Sequence, residues 1–153
     1  MRFTWIEEGI LSASACPAVL YDLQKLSQKG IRAIITLTEK PLTEQTNLSE
    51  QQIEALGLDM LHAPIIDFHA PNENLVRRVS DYIDLMRQVG AVHVHCWAGQ
   101  ERTGTILHAY YMLKGQTIAE ANALIAAVRP QSAFEKLMTV QQDFLRDLEK
   151  RLS

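Results

Sequence analysis

The chain has 153 residues, 47% apolar and 22% charged, with a net charge of −3. These values describe one globular domain, residues 1–153, long enough to bury a core without staples. They exclude a global basic field for nucleic acid or an anionic membrane surface, so any affinity for an anion must be local.

In chain order, Phe3-Thr4-Trp5-Ile6 and Ile10-Leu11-Ser12 are predicted as short strands around a Glu8-Gly9 turn. The acids Glu7 and Glu8 stand where a signal peptide would be hydrophobic. Pro17 is expected to open a helix with Val19, Leu20, Leu23 and Leu26 on one face and Gly30 just past its end. Ile31 to Leu37 is too uniformly apolar for a half-exposed strand and suits a central one. Residues 39–47 are expected to form a loop. Ser49 with Gln52 resembles a capping box for a short helix ending at Gly57.

Leu58 to Ile66 is a further strand candidate, followed by a loop, Asp67-Phe68-His69-Ala70-Pro71. Asn72 is expected to cap a helix over 73–89, with Leu75, Val76, Val79, Ile83 and Met86 spaced for burial. Gly90 ends it, and a strand over Ala91–His95 leads to Cys96. Three helices are then predicted, over about 103–114, 117–128 and 133–151. No run reaches the ~18 apolar residues of a membrane span. Strand–helix alternation followed by a helical C-terminal half implies a single-domain α/β sandwich with a mainly parallel sheet.

The informative stretch is His95-Cys96-Trp97-Ala98-Gly99-Gln100-Glu101-Arg102-Thr103-Gly104. A tight loop between a strand and a helix turns backbone N–H groups inward, and the helix N-terminus adds partial positive charge. Such a field favours thiolate over thiol at Cys96, and Arg102 is placed to grip an oxyanion with two donors. A nucleophile within a phosphate-shaped nest implies phosphoryl transfer through cysteine. Cys16 lies 80 positions from Cys96 with no CxxC spacing. Neither a disulfide scaffold nor a zinc site is indicated, a redox pairing cannot be assigned, and both thiols are expected reduced in a cytoplasmic setting.

His95-Cys96-x-x-Gly99-x-x-Arg102-Thr103-Gly104 matches the protein tyrosine phosphatase signature. Trp5 with the Gly9–Ala13 segment, Ile66-Asp67-Phe68 and Arg129-Pro130 extend the likeness. Over nearly its whole length the chain resembles the compact VHZ-type dual-specificity phosphatases and their archaeal and bacterial counterparts. The resemblance implies the phosphatase-type sandwich and a metal-independent, cofactor-free hydrolysis of phosphotyrosine, with phosphoserine and phosphothreonine also admitted by a shallow cleft. By the same resemblance Cys96 is the nucleophile, and Arg102 stabilises the equatorial oxygens. The N–H groups of Trp97, Ala98, Gly99, Gln100, Glu101 and Arg102 form the phosphate cradle. Thr103 supplies a hydroxyl to the sulfur, and His95 orients the loop from behind.

Asp67, 29 residues before Cys96 on a loop after a strand, matches the family's general acid. Asp59, Glu73 and His69 are its rivals. Gln141, before Gln142-Asp143-Phe144-Leu145, matches a residue credited with placing the hydrolytic water, although the match needs about two extra residues after Pro130. His93 reads as sheet packing, and Trp97 and Phe68 as aromatic walls or packing. Glu101 departs from the usual pattern, which has a small or neutral residue before the arginine; as in the myotubularin lipid phosphatases, an acid stands there. An outward-pointing Glu101 would disfavour strongly acidic substrates.

The expected partners are a phosphorylated protein or peptide and a phosphate or other oxyanion in the loop, bound by a monomer without nucleic acid or membrane. Phosphoinositide, nucleotide or RNA 5′-phosphate hydrolysis by the same loop is the alternative enzyme. A local basic patch at Arg77, Arg78 and Arg87 would favour it. A non-catalytic phosphate-binding module and a sulfurtransferase are further alternatives.

Overall fold

The computed structural model describes residues 1–153. Its strands are β1 (Thr4–Glu7), β2 (Leu11–Ser14), β3 (Ile31–Thr36), β4 (Asp59–His62) and β5 (Ala91–His95). Its helices are α1 (Leu20–Gln28), α2 (Leu42–Thr46), α3 (Glu50–Glu54), α4 (Glu73–Met86), α5 (Glu101–Leu113), α6 (Ile118–Val128) and α7 (Thr139–Leu152). The strands form one sheet in the order β1-β2-β5-β3-β4, in which β1 alone runs antiparallel to its neighbour. The expected α/β sandwich with a mainly parallel sheet is the fold observed.

Every residue of β5 is buried, because strands lie on both its edges and helices cover both faces of the sheet. On one face, Leu23 and Leu26 of α1, Leu42 of α2 and Ile53 of α3 pack against Ile31 and Ile34. Full burial of one such leucine stabilises the fold by about 1.5–3 kcal/mol. On the other face, Ala33, Ile35, Val92 and Val94 meet Val76, Val79 and Ile83 of α4 and Ile106 and Leu107 of α5. Helices α6 and α7 complete this larger core through Ile125, Leu145 and Leu148. The cysteine-bearing loop therefore leaves the sheet's most enclosed strand.

Several boundaries differ from expectation. Helix α1 begins at Leu20 rather than Pro17, since the Ala18 N–H is satisfied by the Asp22 carboxylate at 2.9 Å outside the helix. The 39–47 loop contains α2. Strand β4 ends at His62, although Ala63 and Ile65 N–H still donate to Thr36 O and Leu37 O. Asn72 caps α4 as expected, through Leu75 N–H, and the Ser49–Gln52 capping box is present. The last helix starts at Thr139, after two 3₁₀ turns, Pro130–Ser132 and Phe134–Lys136. Those turns press Ser132 and Leu137 onto Gly104 of α5, where an added Cβ would lie 2.8 Å from each residue's nearest atom.

Candidate active site

The loop between β5 and α5 is held by its carbonyls. Trp97 O accepts from Cys16 N–H at 2.9 Å, and Cys96 O is bonded to His95 Nδ1 at 3.1 Å. Gly99 O accepts from Arg129 and Ser132, and Gln100 O from Ser132 and the Gly104 N–H. The N–H groups of Trp97 through Arg102 donate to no backbone carbonyl. With its acceptors bonded to the scaffold, the loop presents a row of free donors on its other side, an arrangement that can cradle an anion. Gly99 makes the turn at φ +70°, with Ser14 O so close that an added Cβ would lie 2.4 Å from it.

Cys96 lies at the base of this row with its side chain buried. Thr103 Oγ1 donates to Cys96 Sγ at 3.1 Å. His95 is neutral, its pKa lowered to about 4 by burial, so Nδ1–H donates to Cys96 O and Nε2 accepts from Thr36 Oγ1 at 2.8 Å. His93 is more than sheet packing. Ser12 and Ser14 hydroxyls bond its two ring nitrogens at 2.8 and 2.7 Å, and burial keeps it neutral.

Arg102 is only 4% exposed. Its Nη1 donates to Glu39 Oε1 at 2.7 Å and Ile65 O at 3.0 Å, and its Nε has no hydrogen-bond partner. Asp67 Oδ1 lies 3.6 Å from that Nε and accepts from Phe68 N–H at 3.0 Å. Phe68 adopts φ +67° there. An open cleft of about 440 Å³ brings Asp67, Arg102 and Trp97 together with Glu39, Lys40 and Gln45. A larger groove, about 910 Å³, lies away from the loop between α6 and α7 and has no cysteine in its wall.

Asp67's rivals stand elsewhere or are engaged. Asp59 is at the start of β4, bonded to Tyr82 at 2.5 Å, and Glu73 pairs with Arg77 and Arg151. His69 Nδ1 is bonded to Asp67 O at 2.8 Å. Gln141 is buried: its Oε1 accepts from Met138 N–H, and its Nε2 donates to His69 O at 3.2 Å. Trp97 and Phe68 are 66% and 63% exposed, so both flank the site rather than pack in the core. Ala98 is exposed, and Gln100 and Glu101 are half-buried. The arginines 77, 78 and 87 each have a partner, in Glu73, His62 O and Tyr110 respectively.

Three contributors escaped the sequence reading. Glu39 reaches Arg102 across 63 positions, while Arg129 and Ser132 reach the loop carbonyls across about thirty. The Arg129-Pro130 pair was visible, but not its contact. Cys16, unassignable by spacing, sits beside the loop because β2 pairs with β5. Both thiols are free, and burial first, then Cys96, pushes the Cys16 thiol up to about 11.

Comparison with known proteins agrees with this geometry. The family described as "Polymorphic toxin system, DSP-PTPase phosphatase" matches residues 9–116. The mouse dual specificity protein phosphatase CDC14A is 38% identical over 88 residues, 57% of this chain. The human phosphatidylglycerophosphatase and protein-tyrosine phosphatase 1 is 26% identical over 133 residues, 85% of this chain. The chain spans 14% and 65% of the lengths of these two relatives. The solved structure of Tk-PTP in its active form superposes with a TM-score of 0.82 at 27% identity, covering 97% of each chain. No helix is long and apolar enough to cross a membrane. The chain belongs to the DSP-PTPase phosphatase family and has the compact architecture of the atypical dual-specificity phosphatases within the protein tyrosine phosphatase superfamily.

Proposed function

We propose that the chain is a metal-independent phosphatase that hydrolyses phosphotyrosine, and phosphoserine or phosphothreonine, through a cysteinyl-phosphate intermediate. The observation that carries this reading is the buried Cys96 sulfur, bonded by Thr103 and set beneath a row of unpaired N–H groups with Arg102 beside it.

The Cys96 thiolate attacks phosphorus and forms the S–P bond as the P–O bond to the substrate breaks. Protonated Asp67 gives its proton to the departing phenolate or alkoxide. Arg102 and the loop N–H groups stabilise the equatorial oxygens, which requires Arg102 to exchange its Glu39 contact for phosphate. Water then attacks phosphorus, Asp67 carboxylate accepts its proton, and the S–P bond breaks to release phosphate. Thr103 stabilises the departing thiolate. Contact between Gln141 and His69 O supports a part for Gln141 in holding the acid loop.

Exposed Trp97 and Phe68 provide flanking surfaces for an aryl phosphate, and the openness of the cleft leaves room for shorter phosphoserine. The proposed partners are phosphorylated proteins or peptides, met by a single copy of the chain in a reducing, cytoplasmic compartment that suits its two free thiols. Hydrolysis of a non-protein phosphate ester is the second reading, favoured by the human relative whose name includes phosphatidylglycerophosphatase. Carboxylates Glu39 and Asp67 in the cleft weigh against highly charged headgroups.

Wild type and Cys96→Ser should be assayed with p-nitrophenyl phosphate in the presence of chelator, then with phosphopeptides, phosphatidylglycerophosphate and inositides. Activity in wild type alone, led by phosphotyrosine peptides, is expected. Activity surviving Cys96→Ser, or abolished by chelator, would overturn the mechanism; a lipid preference would establish the second reading.

A further inference from the structure

Arg129, the residue that follows α6, is fully buried behind the loop. Its Nε and Nη2 both donate to Gly99 O, at 3.0 and 2.7 Å, and its Nη1 donates to Arg2 O and Thr4 Oγ1, both at 2.8 Å. All three acceptors are neutral, and none of the ion pairs in the protein includes Arg129. A buried ion without a counter-charge is strongly unfavourable. The position calls for a negative group, and the thiolate form of Cys96, on the same loop as Gly99, is one.

The remaining groups around Cys96 do not fill that role. Arg102 on α5 is already paired with Glu39 and approached by Asp67. His93 and His95 on β5 are kept neutral by burial. Cys16, beyond β2, has its thiol pushed up to about 11. The half-buried Glu101 begins α5 and adds negative charge to the rim. Lys40 of the same cleft is exposed to solvent, so Arg129 is the fully buried cation at the loop without an acid partner.

We propose that Arg129 is a positioning residue for the nucleophile: its fixed charge from behind the loop holds Cys96 as thiolate, and its two donors on Gly99 O keep the adjoining peptide turned so that its N–H faces the anion. Burial pulls the guanidinium pKa down, and the Cys96 charge opposes that pull. The inference rests on Cys96 being the nucleophile. Its test reads the thiol and not turnover, so either can fail without the other.

The rate of Cys96 alkylation by iodoacetamide is followed against pH in a Cys16→Ser background, for Arg129 intact, Arg129→Gln and Arg129→Lys, with near-UV circular dichroism checking the fold. Arg129→Gln should raise the apparent thiol pKa by about one unit, a roughly tenfold loss of thiolate at pH values below it. Arg129→Lys should leave that titration in place but weaken inorganic phosphate binding, because an ammonium cannot make the forked contact. An unshifted titration in folded Arg129→Gln, or equal shifts in both variants, would overturn the proposal. If Arg129→Gln does not fold, Arg129→Lys decides: a full-unit shift despite the retained charge sinks it, and an unmoved titration with weaker phosphate binding upholds it.

Discussion

Glu39 Oε1 accepts from Arg102 Nη1 at 2.7 Å, while Glu39 Oε2 accepts from the Asp67 N–H at 3.3 Å. One carboxylate thus ties the loop arginine to the loop that carries Asp67. A bond from its own backbone N–H, and then the Arg102 contact, hold the Glu39 carboxyl below its usual range. It remains an anion at neutral pH and, on the proposed mechanism, would compete with phosphate for the same guanidinium. Because Glu39 is half exposed, that competition is worth only about 0.2–1 kcal/mol. Glu39→Gln should accordingly tighten competitive inhibition by phosphate about 1.4- to fivefold. Unchanged or weaker inhibition would mean that Glu39 does not compete.

Asp67→Asn keeps the Phe68 N–H contact available but removes the proposed proton donor. Leaving groups of high pKa need that proton, and general acid catalysis contributes about 10²–10⁴-fold. Phenyl phosphate hydrolysis should therefore fall by at least about a hundredfold, with dinitrophenyl phosphate losing much less. Equal losses for the two esters would remove Asp67 from the acid role.

Gly99→Ala meets two obstacles. A φ of +70° disfavours a side chain, and its Cβ would lie 2.4 Å from backbone Ser14 O. Left-handed geometry alone costs about 1–2 kcal/mol, and Ser14 is fixed in the ladder between β2 and β5. Urea denaturation should show a loss above about 2 kcal/mol, together with weakened phosphate binding. A variant as stable as wild type would show that the loop has room to move.

Stability should fall on mild acidification. His95 has an ordinary unfolded pKa near 6.5 and a folded value lowered to about 4. Between these values the unfolded chain holds the extra proton, so its contribution is fully present above about pH 6.5 and is lost as pH drops toward 4. His95 alone can account for about 3 kcal/mol, and buried His93 acts in the same direction. Urea midpoints measured from pH 7 to 4.5 should decline across this window, and less so in Thr36→Val/His95→Asn. A flat profile would contradict the neutral buried histidines.

The elements read well where a local pattern carried them: the apolar runs of β3 and β5, the Asn72 cap and the Ser49–Gln52 box all stand as expected. Boundaries failed where a side chain replaced a helical bond, as Asp22 does for Ala18, or where packing on Gly104 imposed 3₁₀ turns before α7. In the site, the contacts within the loop were legible. Cys96 and Thr103 are seven positions apart, and both belong to one strand–loop–helix unit.

The chain by itself determined the α/β class, the strand–loop–helix unit around Cys96 and the candidate pair Cys96 and Arg102, because these follow from local periodicity and the geometry of a strand entering a helix. Only the tertiary structure decided which charges share that site. Glu39 and Arg129 lie 63 and 30 positions from their loop contacts, and no periodicity or spacing rule links such residues. The sheet order brings β3 and β2 to either side of β5, and the turns after α6 carry Arg129 beneath the loop. A carboxylate beside Arg102 and an unpaired cation behind Gly99 are consequences of that packing, since electrostatics depends on distance through space and not along the chain.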